Sequence, residues 1–171
     1  MRSFSLTLII IPLLLASPGC KRRHRSSAQT QLPVSSVFAG DPSVAGHFTK
    51  GFYQIEEHAW RWTGKQFSVE LSPPLHANQT GAQLVMKLAV PDAVLQKSNS
   101  LQLSASIQGY NLEPQTYTKP GQYTYTRDVP GDKLQSSVVQ IDFAVDHTLP
   151  PTQSDIRELG IIVSQVGLVA K

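Results

Sequence analysis

The stretch SVVQIDFAVD, residues 137–146, sets Val139, Ile141, Phe143 and Val145 against Gln140, Asp142, Ala144 and Asp146. Successive side chains on a strand point to opposite faces, so this alternation buries one face and leaves the other in water. The same period runs outward in both directions. Phe67, Val69 and Leu71 alternate with Ser68 and Glu70 in FSVEL. Leu84, Met86, Leu88 and Val90 share one side of QLVMKLAV, and Leu101, Leu103, Ala105 and Ile107 share one side of LQLSASIQG. Tyr117, Tyr123 and Tyr125 punctuate QTYTKPGQYTYT, and LGIIVSQVGLV closes the series.

Turn chemistry separates these runs at SPP, NQTG, VPD, KSNS, KPGQ, PGDK and LPP. Pro and Gly at such points do not sit inside a central ladder. No segment carries a helical period. The spacing predicts an all-β chain, an antiparallel β-sandwich of jelly-roll type with about eight strands, over residues 49–171.

The front of the chain reads differently. MRSFSLTLIIIPLLLASPGC has Arg2 near its start, an apolar run from Leu6 to Ala16, and small residues before Cys20. This is the layout of a signal peptide over residues 1–20, with an apolar run too short to span a membrane comfortably. Cys20 is the single cysteine, which excludes an intramolecular disulfide. Its position resembles the lipobox of bacterial lipoproteins, in which the Cys carries the lipid; Ser17 stands where that family prefers Leu. Lys21 to Arg25, KRRHR, would add electrostatic attraction to anionic headgroups. Residues 21–48, rich in Ser, Pro, Gly, Gln and Ala, read as a flexible linker. The expected location is the cell envelope, membrane-anchored and facing the periplasm or exterior.

The whole chain carries a formal charge of +3, but from Gly51 onward nine Lys and Arg face eleven Asp and Glu. The basicity belongs to the tail, so the footprint expected of a nucleic-acid binder is missing.

Three clusters bear on chemistry. In HAWRWTGK, Trp60 and Trp62 are two apart and share one face of a strand, with Arg61 on the other. Filling the sandwich core is the commoner use of such rings. The sharper reading is a sugar-binding platform of Trp60 and Trp62 with Arg61 as a polar partner. Glu56, Glu57 and His58 precede it; adjacent carboxylates on a strand diverge, so they read as a solvated edge. Histidines 24, 47, 58, 76 and 147 show no metal spacing, there is no G-x-S-x-G elbow or phosphate loop, and nothing points to a cofactor.

The third cluster is SDIRELGII, residues 154–162. Read as the start of a strand, Asp155 and Arg157 share a side and Glu158 opposes them. Asp155 can pair bidentately with Arg157, or Arg157 can reach a neighbouring strand. The structural reading is an ion-pair cluster of Asp155, Arg157 and Glu158 that fixes register. A catalytic reading needs a second carboxylate, and Asp142, Asp146 and Glu70 are the candidates.

WRWTGK, KPGQYTY and SDIRELGIIVSQVGL together resemble a small bacterial β-sandwich domain found appended to envelope glycosyltransferases and polysaccharide-related proteins. The resemblance covers residues 51–169, with Trp60, Arg61, Trp62, Asp155, Arg157, Glu158, Leu159 and Gly160 at its signature positions. It implies a jelly-roll-like fold and a glycan or envelope context, and it implies no catalytic residues. The expectation is therefore a non-enzymatic, membrane-tethered accessory module that binds carbohydrate. The alternatives are a structural or assembly lipoprotein that binds a protein partner, and a hydrolase using Asp155 or Glu158.

Overall fold

The computed structural model describes residues 34–96 and 98–171. The signal segment 1–20, Cys20, the basic run 21–25 and the first part of the expected linker lie outside the described residues.

Among the described residues nine strands follow one another: β1 Ser36–Phe38, β2 Phe48–Glu56, β3 Trp60–Leu71, β4 Ala82–Val90, β5 Leu101–Ile107, β6 Tyr110–Tyr117, β7 Gly121–Val129, β8 Val139–Val145 and β9 Ile162–Ala170. The only helical pieces among the described residues are short: Ala77–Thr80, Asp92–Leu95 and the 3₁₀ turns Pro42–His47 and Gly131–Lys133. Every strand pairing is antiparallel. The fold is an antiparallel β-sandwich of jelly-roll type.

The strand β3 makes the sandwich. Its second half, Gln66–Leu71, pairs with β8 and so belongs to a sheet ordered β2-β3-β8-β5-β6. Its first half pairs with β9 through Arg61↔Val163 and Trp62↔Ile162, and belongs to a sheet ordered β3-β9-β4-β7, with β1 also on β9. A strand that changes partners along its length folds one continuous sheet into two layers. Across the open side, the Tyr125 hydroxyl on β7 donates to the Glu113 carbonyl on β6 at 3.1 Å.

The alternation read in the sequence supplies the core. Phe67, Val69, Leu71, Leu84, Met86, Leu101, Leu103, Ile141, Phe143 and Val145 all lie inside. The Phe67 ring stacks on Phe143 with centroids 5.1 Å apart, and Phe52 meets it edge-on at 5.2 Å. Burying each such side chain contributes about 1.5–3 kcal/mol.

The ordered sandwich begins earlier than residue 49. Residues 36–38 form β1 against β9, Val37 is fully buried, and Asp41 caps the 3₁₀ turn by accepting the Ser43 N–H at 2.8 Å. Three residues are too few to show a period, so composition alone assigned this segment to the linker. At the β2–β3 turn, Glu57 and His58 hold φ of 51° and 53°, and the Ala59 N–H donates to the Glu56 carbonyl at 3.1 Å. The loop has three residues, Glu57–Ala59, and positive φ at both central positions of the Glu56–Ala59 turn makes that turn a primed one, built here without glycine. Glycine is needed at Gly51, whose φ is 69° and where a side chain would strike the Gln66 carbonyl.

Candidate functional site

Trp60 and Trp62 lie outside the core, half-buried on the outer face of the second sheet. The expectation of core filling is overturned by the strand's own period: in this half of β3 the inward positions belong to Arg61 and Thr63, both buried. The indoles meet edge-to-face, with centroids 6.2 Å apart and planes at 80°. That is a favoured aromatic geometry, and it stiffens the pair.

The ladder register sets out the rest of this face. Gln122, Ala89, Ile162 and Trp62 form one row across β7, β4, β9 and β3. Thr124, Lys87, Gln165 and Phe38 form the next, across β7, β4, β9 and β1. A register shift after Lys87 leaves Ser164 as an extra residue between the rows, a bulge of the kind that re-aims side chains. Trp60, Ile162, Ala89, Ser164, Lys87, Gln122 and Thr124 then border a hollow of about 480 Å³. It offers one indole, an aliphatic floor, and an ammonium, an amide and hydroxyls around it. An apolar surface with a few convergent polar groups is the make-up of a small-molecule site.

Arg61 is not brought to this hollow. Its side chain points the opposite way and is 8% exposed. Nε donates to the Ala39 carbonyl and Nη1 to the Tyr53 carbonyl, both at 3.0 Å, and the guanidinium lies 5.0 Å from the Phe48 ring centroid. It thereby ties the segment after β1, and β2, to β3. No carboxylate pairs with it among the described residues, and burial pulls its pKa below the ordinary arginine value.

The SDIRELGII cluster is a loop, not the start of a strand; β9 begins only at Ile162. Arg157 forks onto Asp155, with Nε to Oδ1 at 2.9 Å and Nη2 to Oδ2 at 2.7 Å, and also reaches β2, with Nη1 to Glu56 Oε1 at 2.7 Å. Its guanidinium lies 5.4 Å from the Tyr53 ring centroid. These contacts raise the Arg157 pKa, with Asp155 contributing first and Glu56 second. The hydrogen bonds from Arg157 hold the Asp155 carboxyl down to about 2.

Glu158 is no part of the ion pair. Its carboxylate accepts from Thr148 Oγ1 at 2.6 Å, while its backbone N–H and C=O both engage the Tyr53 hydroxyl. Glu56 replaces it as the second acid. Glu56 was readable only as one of two adjacent carboxylates on an edge, and no sequence signal joins it to a residue 101 positions away. Glu56 pairs with Trp60 in the β2–β3 ladder, so the clamp stands beside the Trp pair. Gly160 completes the approach to β9: a side chain there would meet Gly64 and Thr63 at 2.9 Å.

The carboxylates considered for catalysis do not converge on this loop. Asp142 accepts from Ser68 Oγ at 2.6 Å and Gln140 Nε2 at 2.7 Å. Asp146 binds His147 Nδ1 at 2.8 Å and the Gln102 N–H at 3.0 Å. Among the described residues no group of three or more His, Cys, Asp or Glu is arranged to hold a metal ion.

No protein-family model matches this chain, and no curated protein matches it. Several solved structures similar to it are carbohydrate-binding modules. One is a module described for specific mannan recognition, with TM-score 0.45, 9% identity, and coverage of 82% of this chain and 98% of that one. Another, a CBM4 module, has TM-score 0.36 and 14% identity over 80% of this chain and 85% of that one. A GH115 4-O-methyl-α-glucuronidase with specificity for decorated arabinogalactans has TM-score 0.48 and 14% identity over 82% of this chain. This chain spans only 18% of the glucuronidase's length.

Proposed function

We propose that this chain is a non-catalytic carbohydrate-binding module of the bacterial cell envelope, tethered to a membrane through lipidated Cys20 with help from Lys21–Arg25. The observation that carries the binding part is the Trp60 hollow. A pyranose presents an apolar C–H face to an indole and a rim of hydroxyls to hydrogen-bonding groups. Trp60, with Gln122, Thr124 and Ser164 nearby, offers that complement in a volume of about 480 Å³. The non-catalytic part is supported by Asp155, whose carboxyl is ionised at neutral pH and so suits no proton donation, and whose two oxygens are both engaged by Arg157.

Affinity electrophoresis of the full chain against cell-wall and capsular polysaccharides tests the reading. We expect retardation by at least one glycan, weakened roughly 30-fold by Trp60→Ala. Absence of binding across the panel ends the carbohydrate assignment. Mass spectrometry of the mature N-terminus tests the tether, where an unmodified Cys20 or an intact Met1 refutes lipidation.

A second reading is a structural lipoprotein that grips a protein partner. Phe38 at 47% exposed and Val169 at 51% favour it, since both stand on the same outer face as the Trp pair. Co-purification of one stoichiometric partner, lost on Phe38→Ser, would select that reading over the first.

A further inference from the structure

Arg61 is nine-tenths buried yet has no acid to balance it. Two carbonyls take Nε and one N–H of Nη1, and a ring covers one face. Nη2 has no acceptor among the described residues, although it is not sealed from solvent. Natural proteins pair buried charges or let them bind something. The side chain lines a second hollow, of about 360 Å³, bounded by Pro42 and Ala45 of the 3₁₀ turn and by Phe52, Tyr53, Gln54 and Ile55 of β2. This hollow and the Trp60 hollow share no bordering residue, and they lie on opposite sides of β3. The nearest acid along β2, Glu56, is on the Trp60 side and already engaged by Arg157.

The geometry points to a carboxylate-binding site at Arg61. Nη2, with no acceptor of its own among the described residues, carries the free donors, and a guanidinium so placed recognises carboxylate oxygens. Phe52 and Ile55 stand in the wall of this open hollow, and Gln54, which also borders it, can serve a hydroxyl or the second oxygen. The ligand class is a small carboxylate, either free or carried on an acidic sugar. This site is independent of glycan binding at Trp60.

The test is thermal unfolding of the full chain titrated with acetate, glucuronate and glucose, against sodium chloride at equal ionic strength. We expect a rise of a few degrees with the carboxylates, setting in at roughly millimolar concentration and growing with the logarithm of concentration above it. Glucose gives none that Arg61→Gln removes. Within the response that Arg61→Gln removes, a larger effect of glucuronate than acetate places the carboxylate on a sugar, and equal effects make it a free carboxylate site.

Arg61→Gln removes the response. Ala45→Leu, which fills the hollow and leaves Arg61 in place, also removes it and decides the matter if Arg61→Gln does not fold. The inference is overturned by the absence of a rise beyond the sodium chloride control, or by one that survives Ala45→Leu. Neither outcome touches Trp60-dependent retardation, so this site and the proposed glycan site stand or fall separately.

Discussion

The two halves of β3 use the same strand geometry with opposite polarity. From Phe67 to Leu71 the inward residues are Phe, Val and Leu, and the outward ones are Ser68 and Glu70. From Trp60 to Thr63 the inward residues are Arg61 and Thr63, and the outward ones are two indoles. The outer faces follow suit. Over the first sheet, Lys50, Ser68, Asp142, Ser106 and Asn111 form an entirely polar row across five strands. Over the second, the rows carry Trp62, Ile162, Ala89 and Phe38. Where a strand sends polar groups inward and rings outward, the inversion works against stability unless the inner groups are satisfied and the outer rings meet a partner. It marks the half of the strand that folding alone does not explain.

The largest expected effect comes from the conventional half. Phe67→Ala should cost about 3–5 kcal/mol in denaturant unfolding, because the ring contacts both Phe143 and Phe52 in a closed core. Arg61→Met should cost about 3 kcal/mol by leaving the Ala39 and Tyr53 carbonyls without donors. A neutral result would mean that the inverted half needs no polar anchor.

Trp60→Ala should leave stability within about 1 kcal/mol and weaken glycan binding roughly 30-fold, the loss typical of a truncated aromatic anchor. Equal losses in stability and binding would erase the contrast between the halves.

Smaller is the acid dependence of the clamp beside Trp60. The Asp155 pKa of about 2 lies below the ordinary 3.8, so the clamp's stabilisation is fully present above about pH 4 and disappears as pH falls through 2. Melting temperatures of the parent chain and Asp155→Asn should differ at pH 7 and converge near pH 2. The smallest effect is a gain. Replacing Glu57-His58 with Asn-Gly should raise stability by about 1 kcal/mol, because both positions hold positive φ. If the gain comes with weaker glycan retardation, the strained turn beside Trp60 serves binding as well.

Period two made the fold legible. FSVEL, QLVMKLAV, LQLSASIQG and SVVQIDFAVD all became strands with the expected residues inside. β1 is not legible because Val37 and Ala39 are the only apolar residues in its inward register, too short a run to announce a strand. The shared face of Trp60 and Trp62 could be read from their spacing. Which face it was could not, since that depends on β9 and β4 arriving on one side of β3. Arg157 reaching Glu56 is likewise a product of topology, as no local pattern foretells a partner on β2.

One feature of the topology bears on how the protein acquires its form. β9 is the last of the nine strands in chain order, yet it is hydrogen-bonded to β4 on one side and to β1 and β3 on the other. The second sheet has no centre until β9 is available, and contacts between the earliest and the latest strands close the longest loops in the described chain. Such topologies fold slowly and leave unpaired edges open meanwhile. The aromatic face is therefore built on contacts between segments far apart in sequence, and its two indoles have their final setting only once β9 lies between β3 and β4.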